Sequence, residues 1–474
     1  MKPTYSKEER ATIALEGEAL PDQRQNWSPN NSLDIFRPIH YLGSKLRILD
    51  FIQRAIDDVD PSGTSVCDLF AGSGTVSYKL SSTRSVTSVD IQEYSRVICS
   101  ALLRPAKYPS KVTDFIEQCR QSVHTKSLEW GIEPLATYES TCVAQAESGY
   151  PEPLCELIEH GSIVGFEIEP KPKCLPQLFA ALNDALQRLT SAGLLVGSAA
   201  LTIRHFGGLY FSYLQAAHID SLLEAIFAQP VHHRDSFLAA ILSTASDAVN
   251  TIGKQFAQPL RPRNSDGTPK PHLGKAVKRD RTLDIFSTFE AWLERYISIN
   301  TLNQNHRILR MDFSQALDTL GNDVRVVYAD PPYTRDHYSR FYHVLETISL
   351  RDNPLVSRTT INSENAISRG VYRQDRHQSP FCIKTQAPGA FENLFSKVRK
   401  LNASLLLSYS PYSETKKARP RLLTIKRLEE LAKKYYRRIE VVSPGSFSHS
   451  KLNSSDKNFD VSSNAELLMI CKPT

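Results

Sequence analysis

A chain of 474 residues with 41% hydrophobic residues has the material for one large domain with an insertion, or for two domains, and can bury a sizeable core. Its formal charge of +6 is a mild basic excess, compatible with nucleic acid but not by itself a sign of it. No apolar stretch is long enough to span a bilayer, the first residues lack the apolar core of a signal peptide, and the eight cysteines form no Cys-x-x-Cys pair and no zinc-ligand spacing with His, so they read as reduced thiols of a cytoplasmic protein that binds no metal.

Residues 1–36 are polar, with Pro, Asn and Ser clusters, and read as an N-terminal arm. From Ile39 to Asp57 the pattern turns helical, with Leu46, Leu49, Ile52 and Ile56 on one face. Val66 to Phe70 is a short buried strand running into Ala71-Gly72-Ser73-Gly74, and a helix is expected from about Thr75. A second strand, Val86 to Val89, ends in Asp90, and another helix is expected from Glu93 to Leu103. Strand–helix–strand–helix order implies a parallel sheet with crossover helices.

The middle, about 105–304, is mostly helical in pattern, with segments such as 213–227 and 232–249. It holds one polar stretch, Thr251 to Arg281, rich in Lys and Arg and kept irregular by Gly253, Gly267, Gly274 and several prolines. Strands return at Val324–Tyr328, Ser404–Ser408, Ile439–Val442 and Ala465–Cys471. The expected organisation is therefore the arm, a split α/β sheet domain (37–104 and 305–474) and a long, mainly helical insertion (105–304).

Two stretches carry chemistry. Asp68-Leu69-Phe70-Ala71-Gly72-Ser73-Gly74, with Asp90 downstream, combines a glycine turn that a cofactor can approach with a strand-end acid able to grip ribose hydroxyls. The pattern is not G-x-G-x-x-G, and Asp68 suits a cofactor bearing an ammonium group better than a pyrophosphate. A tight turn with no ligand is the alternative. Further on, the apolar strand Val326-Val327-Tyr328-Ala329 ends in Asp330-Pro331-Pro332-Tyr333. Two prolines stop a ladder, and the carboxyl ends of strands are where open α/β sheets bind ligands. A surface turn is the alternative there.

Taken together, these stretches resemble the alpha-group, Dam-like DNA adenine-N6 methyltransferases. Asp330 to Tyr333 is similar to their catalytic motif, Asp68 to Gly74 to their cofactor loop, and Tyr41-Leu42-Gly43-Ser44-Lys45 to the motif that precedes that loop. The similarity covers about residues 37–104 and 305–349, with Leu405–Tyr412 less closely matched. The insertion is longer and more helical than the recognition domain of Dam itself. The resemblance implies a Rossmann-like class I S-adenosylmethionine-dependent sheet, with the insertion as target-recognition region and double-stranded DNA as partner. Restriction-modification or protection of host or phage DNA is the implied setting, with any partner endonuclease encoded separately.

It also implies site residues. Asp330, Pro331, Pro332 and Tyr333 would be catalytic: Asp330 and the Pro331 carbonyl accept the adenine N6 hydrogens, and Tyr333 stacks on the flipped base. Tyr41, Gly43, Lys45, Asp68, Phe70, Gly72, Gly74, Asp90, Asp312 and Phe313 would hold the cofactor. For Asp312 a helix N-cap is an equal alternative; Lys45 would face the cofactor carboxylate or the target base, with a solvated helix-end lysine as the alternative. Tyr338, Phe341 and Tyr342 lie at helical spacing and read as core before base-binding wall. Lys254, Arg261, Arg263, Lys275, Lys278 and Arg279 in the basic stretch, with Arg373 and Arg376 in a second arginine-rich segment, would meet DNA phosphates. The histidines at 232, 233 and 377 read as surface or DNA contacts. Two other readings stand beside this one: an RNA or protein-amide methyltransferase of the same fold, and a DNA-binding regulator on an inactive methyltransferase fold.

Overall fold

Apolar residues on both faces of a strand require cover on both sides, and the central strands here have it. The computed structural model describes residues 36–169, 175–300, 305–335, 338–361, 364–410, 421–444 and 466–473; apart from Phe36, the N-terminal arm lies outside them, as do Tyr412 and Ala465. In chain order the strands are β1 (Ser65–Leu69), β2 (Val86–Asp90), β3 (Arg307–Arg310), β4 (Val324–Ala329), β5 (Arg358–Ile361), β6 (Glu364–Ile367), β7 (Ser404–Tyr409), β8 (Arg438–Val442) and β9 (Leu467–Lys472). Seven form one sheet in the order β3-β2-β1-β4-β7-β9-β8, and β5 and β6 form a separate hairpin. All pairings from β3 to β7 are parallel, and β9 runs antiparallel to both its neighbours. The architecture is thus α/β with a mixed seven-stranded sheet.

Side chains alternate across this sheet with the period of two that pleating imposes. Cys67, Val327, Leu405, Leu407 and Met469 face helices 313–319, 387–400 and 425–432, while Val66, Val326, Tyr328, Leu406 and Leu468 face helices 49–59 and 75–80. From β1 the chain crosses to β2 on one side, and β4 pairs with β1 on the other. The strand order therefore reverses between β1 and β4, and a crevice opens at their carboxyl ends.

The helices of the middle region, from Val112 to Ile297, join the sheet domain without a break in packing. Their apolar core is continuous with Val97, Ile98 and Ala101 of helix 93–103 and with Val344, Leu345 and Ile348 of helix 343–350. Polar staples add to it. Arg96 makes a two-pronged contact with Asp235 of helix 231–248, at 2.8 Å on each prong. Glu346 accepts the backbone N–H groups of Glu93 and Tyr94 at 3.0 Å each, satisfying orphan donors at the start of helix 93–103.

Two expected elements differ. The helix expected from Ile39 begins only with a 3-10 turn at Leu46 and becomes α-helical at Leu49; Gly43, at φ +77°, cannot be read from apolar spacing. The basic stretch 251–281 is not irregular throughout, because Leu273–Arg281 is helical and buries Leu273, Gly274 and Val277. A Cβ at Gly274 would meet the Ala146 backbone at 3.0 Å, so this glycine serves close helix packing, not flexibility. β3 and the β5–β6 hairpin were not legible: β3 is a four-residue edge strand with Arg at both ends.

Candidate active site

The crevice between β1 and β4 opens into a pocket of about 930 Å³, counting the space continuous with solvent at its mouth. Phe70, in the turn after β1, forms part of one wall, while Gly72 and Gly74 of the same turn lie outside the lining. Phe70, Gly72 and Gly74 all have positive φ (64°, 54° and 71°), a region that costs a non-glycine residue such as Phe70 about 1–3 kcal/mol. Phe70 reaches the pocket in that geometry, with its ring 5.6 Å from Phe313 and 5.4 Å from Phe381. A Cβ on Gly72 would lie 2.4 Å from the Tyr41 hydroxyl, so the glycine makes room for that phenol. Tyr41 in turn stacks on Tyr342, with centroids 4.9 Å apart at 14°.

Asp90, at the end of β2, lines the pocket. Its two oxygens accept N–H groups from Gly72 and Gln92 at 2.9 Å each; burial nevertheless pushes its carboxyl up from the usual value. Gln92 also lines the pocket, and its side-chain oxygen is buried and without a partner among the described residues. Asp312 does both things weighed for it: its carboxylate accepts the Ser314 N–H at 2.8 Å as the cap of helix 313–319, and it lines the pocket beside Phe313.

Asp68 is placed differently from the expectation. It does not line the pocket but lies beneath the glycine turn, 1% exposed, accepting from the Ser77 hydroxyl at 2.6 Å. Burial pushes its carboxyl up to about 7, with Ser77 opposing and Asp330 and Asp90 reinforcing the rise. Gly43 lies outside the lining as well; an added Cβ there would sit 3.6 Å from the Tyr338 hydroxyl.

Opposite the turn stand Asp330, Pro331, Pro332 and Tyr333. Lys45 is not a solvated lysine, and it lines the pocket. It is buried, and its Nζ lies 2.7 Å from Asp330 Oδ2 and 3.4 Å from Glu466 Oε1. Burial alone would lower the lysine, but the two carboxylates reverse this and hold it well above its usual value. For Asp330, burial pushes the carboxyl up to about 6, with Lys45 pulling it down and Glu466 pushing it further up. The Tyr333 ring packs 4.8 Å from Tyr409 and under the Arg421 guanidinium at 5.0 Å. Of the aromatic residues that follow, Phe341 and Tyr342 are core, and Tyr338 lines the pocket. Glu466 and Met311 at this site were not assigned from the sequence, and His377, read there as a surface or DNA contact, lines the pocket. Of the unassigned two, only Glu466 left a signal, as an acid at the head of the apolar run Leu467-Leu468-Met469-Ile470.

The basic residues expected at DNA divide into two sets. Lys254 donates to Asp280 and to two backbone carbonyls, at 2.9–3.0 Å. Arg263 clamps Glu152, Glu156 and Glu159, which also occupies the carboxylates beside His160, the cluster nearest to a metal-ligand arrangement. Arg373 is buried between Asp352 and Asp375. Lys278 pairs with Glu147, and Arg279 with Asp280. These charges are spent internally. Arg261, Arg376 and the exposed Lys275 are in no salt bridge among the described residues. The first two belong to a cationic surface with Lys270, Arg340 and Arg369. Arg340 and Arg376 both lie over the Tyr372 ring, at 5.2 and 4.9 Å; burial and the neighbouring Arg261 and Arg369 charges lower Lys270. Arg340 directly follows Tyr338 and Ser339 of the pocket wall.

This chain is similar to Modification methylase LlaI of Lactococcus lactis subsp. lactis, 23% identical over 378 residues, which are 79% of this chain and 46% of that protein. It is also similar to Type II methyltransferase M.FokI of Planomicrobium okeanokoites, 23% identical over 373 residues, covering 78% of this chain and 44% of that protein. The chain thus spans less than half the length of these curated relatives. A family model, D12 class N6 adenine-specific DNA methyltransferase, matches residues 41–131 and 282–387. In those two segments, which carry Tyr41, Lys45, the glycine turn, Asp90, Phe313 and Asp330 to Tyr333, the chain resembles the D12 class N6 adenine-specific DNA methyltransferases.

Proposed function

We propose that the protein transfers a methyl group from S-adenosylmethionine to the N6 amine of an adenine flipped out of duplex DNA. The observation that carries this reading is the convergence, in one crevice, of the Asp90 and Phe70 wall with the Asp330-Pro331-Pro332-Tyr333 edge, both inside the segments matched by the adenine methyltransferase family. Asp330 at that edge is the acid expected for the adenine amine of DNA, where RNA or protein-amide methyltransferases usually carry Asn.

The residues present fit the cofactor. Asp90 and Gln92 line the pocket at the end of β2, and the Gln92 side-chain oxygen is a buried acceptor without a partner among the described residues. Phe70, Met311 and Phe313 offer the apolar surface that an adenine ring requires. When bound, the cofactor supplies a methyl group already activated by a positive sulfur. The sheet would then be of the Rossmann-like class I methyltransferase type, with the order and the antiparallel β9 described above, and the helical middle region would form the second wall of a DNA cleft.

The adenine amine is a poor nucleophile because its lone pair is delocalised into the ring. Asp330 accepts one N6 hydrogen and the Pro331 carbonyl the other, which turns the lone pair toward the methyl carbon. Tyr333 stacks on the base. The new N6–C bond would replace the C–S bond of the donor, and N6 would lose one proton, which Asp330 is placed to accept. The cationic surface of Arg261, Lys270, Arg340, Arg369 and Arg376 beside the pocket mouth holds the phosphate backbone. Mapping N6-methyladenine in DNA from a host expressing the protein, and from one expressing an Asp330→Ala variant, tests this: methylation confined to the parent supports it, and its absence from both overturns it.

A further inference from the structure

Lys45 holds Asp330, and something holds Lys45. Its Nζ has three donors and meets three acceptors: Asp330 Oδ2 at 2.7 Å, the Gly43 carbonyl at 3.2 Å and Glu466 Oε1 at 3.4 Å. The ammonium is therefore fully committed. The same Glu466 oxygen accepts from the Ser408 hydroxyl at 2.7 Å, so the acid is fixed from β7 while it stands at the head of β9. Glu466 is 1% exposed. A carboxylate so deeply buried costs several kcal/mol before its partners are counted, and an apolar residue would start this strand more cheaply. Packing gives no reason for it; its position relative to Asp330 does.

A lone Lys–Asp pair would spend the Asp330 charge on the lysine and leave a weak acceptor for the N6 hydrogens. With two carboxylates around one ammonium, the buried group keeps one net negative charge on the side where the base amine gains positive charge as the methyl arrives. We propose that Glu466 is a positioning residue for methyl transfer. Through Lys45 it sets the orientation of Asp330, and by sharing the ammonium it preserves the strength of Asp330 as an acceptor. This rests on the adenine-methylation reading above. Besides Lys45 and Glu466, the groups that face Asp330 are Tyr328 from β4, Asp68 from β1, Tyr333 and Tyr41. Like Asp68 and Tyr328, Glu466 lies outside the pocket lining, and of these three it alone is in an ion pair with Lys45.

The test is single-turnover methylation of unmethylated bacterial chromosomal DNA at saturating S-adenosylmethionine, between pH 5 and 9. The full-length parent, Glu466→Gln and Glu466→Asp are compared, with calorimetric cofactor binding and a thermal melt of each. Glu466→Gln removes a negative charge near Asp330, so the acid limb of its rate profile should move to lower pH by about one unit. Its rate at pH 8 should fall about tenfold or more through misplacement of the acceptor, with cofactor affinity within about twofold of the parent. Glu466→Asp should return the acid limb toward the parental position. A Glu466→Gln profile with the parental limb, whether or not the rate falls, overturns the proposal, because a residue that only packs would leave the limb unmoved. If Glu466→Gln does not melt cooperatively, Ser408→Ala, which removes the hydroxyl that donates to Glu466, should slow transfer at unchanged cofactor affinity; a parental rate in that variant overturns the proposal. A parent that methylates no adenine overturns the underlying reading instead, whereas an active parent with unaffected variants overturns this inference alone.

Discussion

Asp330 ends a buried strand beside two prolines, and the reading of the site depends on it more than on any other residue. Asp330→Ala should leave fold and cofactor binding nearly intact and lower single-turnover methyl transfer about a hundredfold or more, comparable to losing one preorganised polar group in an active site. Asp330→Asn keeps one acceptor oxygen and loses the charge, so it should be impaired less severely. Parental rates in either variant would remove Asp330 from the chemistry. Its ionisation adds a pH test. Burial, with Glu466, raises its carboxyl to about 6 against the pull of Lys45, and the charged form is the active acceptor, so activity should be full above that value and fall as pH drops through it. Asp90→Ala should weaken cofactor binding by about 1–3 kcal/mol, the range for a lost hydrogen bond to a charged group; calorimetry on a folded variant with unchanged affinity would exclude Asp90 from the site. Both acids could be read from the sequence because each ends a short apolar run. Lys45 was legible only as a residue type: its contact with Asp330 spans 285 positions of chain (330 − 45), and no local pattern encodes such a distance.

At the scale of elements, the strand–turn–helix unit from Ser65 to Leu80 joins folding to function. Asp68 sits beneath its turn with a carboxyl raised to about 7 by burial, against an ordinary value of 3.8. A carboxylate raised on folding binds its proton more tightly in the native state, so the native state loses stability as pH climbs from about 4 through about 7. Asp68→Asn removes this titration while leaving an acceptor for Ser77, so the parent's drop in melting temperature between pH 5 and pH 8 should shrink in the variant. An equal drop in both proteins would show that Asp68 is not the group responsible. Gly72→Ala belongs to the same element. The new Cβ meets the Tyr41 hydroxyl and must hold φ near +54°, a combined cost of about 1–3 kcal/mol or more, and the displaced Tyr41 should reduce cofactor binding as well. A thermal melt and affinity like the parent's would show that the turn relaxes freely. The starts of helices 75–80 and 93–103 were legible from apolar runs bounded by Gly74 and Asp90. The edge strand β3 was not, because half-exposed edge residues follow no apolar rhythm.

For the whole molecule, the question is which charges remain for a polyanion after folding has used the rest. Neutralising Arg340, Arg369 and Arg376 should weaken binding to all DNA sequences alike and flatten the salt dependence by roughly one unit per lost phosphate contact. Neutralising Lys278 and Arg279, which already pair with Glu147 and Asp280, should change the slope much less. Equal slopes for the two triple- and double-site variants would mean that the cationic surface around Tyr372 is not where the backbone runs. The basic stretch 251–281 was conspicuous in the sequence because composition counts charges. Composition does not show that Arg263 is clamped by three glutamates more than a hundred positions away, or that Arg340 and Arg376 share one tyrosine ring. The sequence by itself determined the α/β class, the glycine turn, the strand-end acids and the resemblance that joins them, since each is written in a few consecutive residues whose chemistry is local. Tertiary structure alone decided that the helical middle shares one core with the sheet domain, that Asp68 lies beneath the turn and Lys45 on Asp330, that Glu466 lies against Lys45, and which arginines are in no salt bridge among the described residues, because burial and charge pairing are set by residues that only folding brings together.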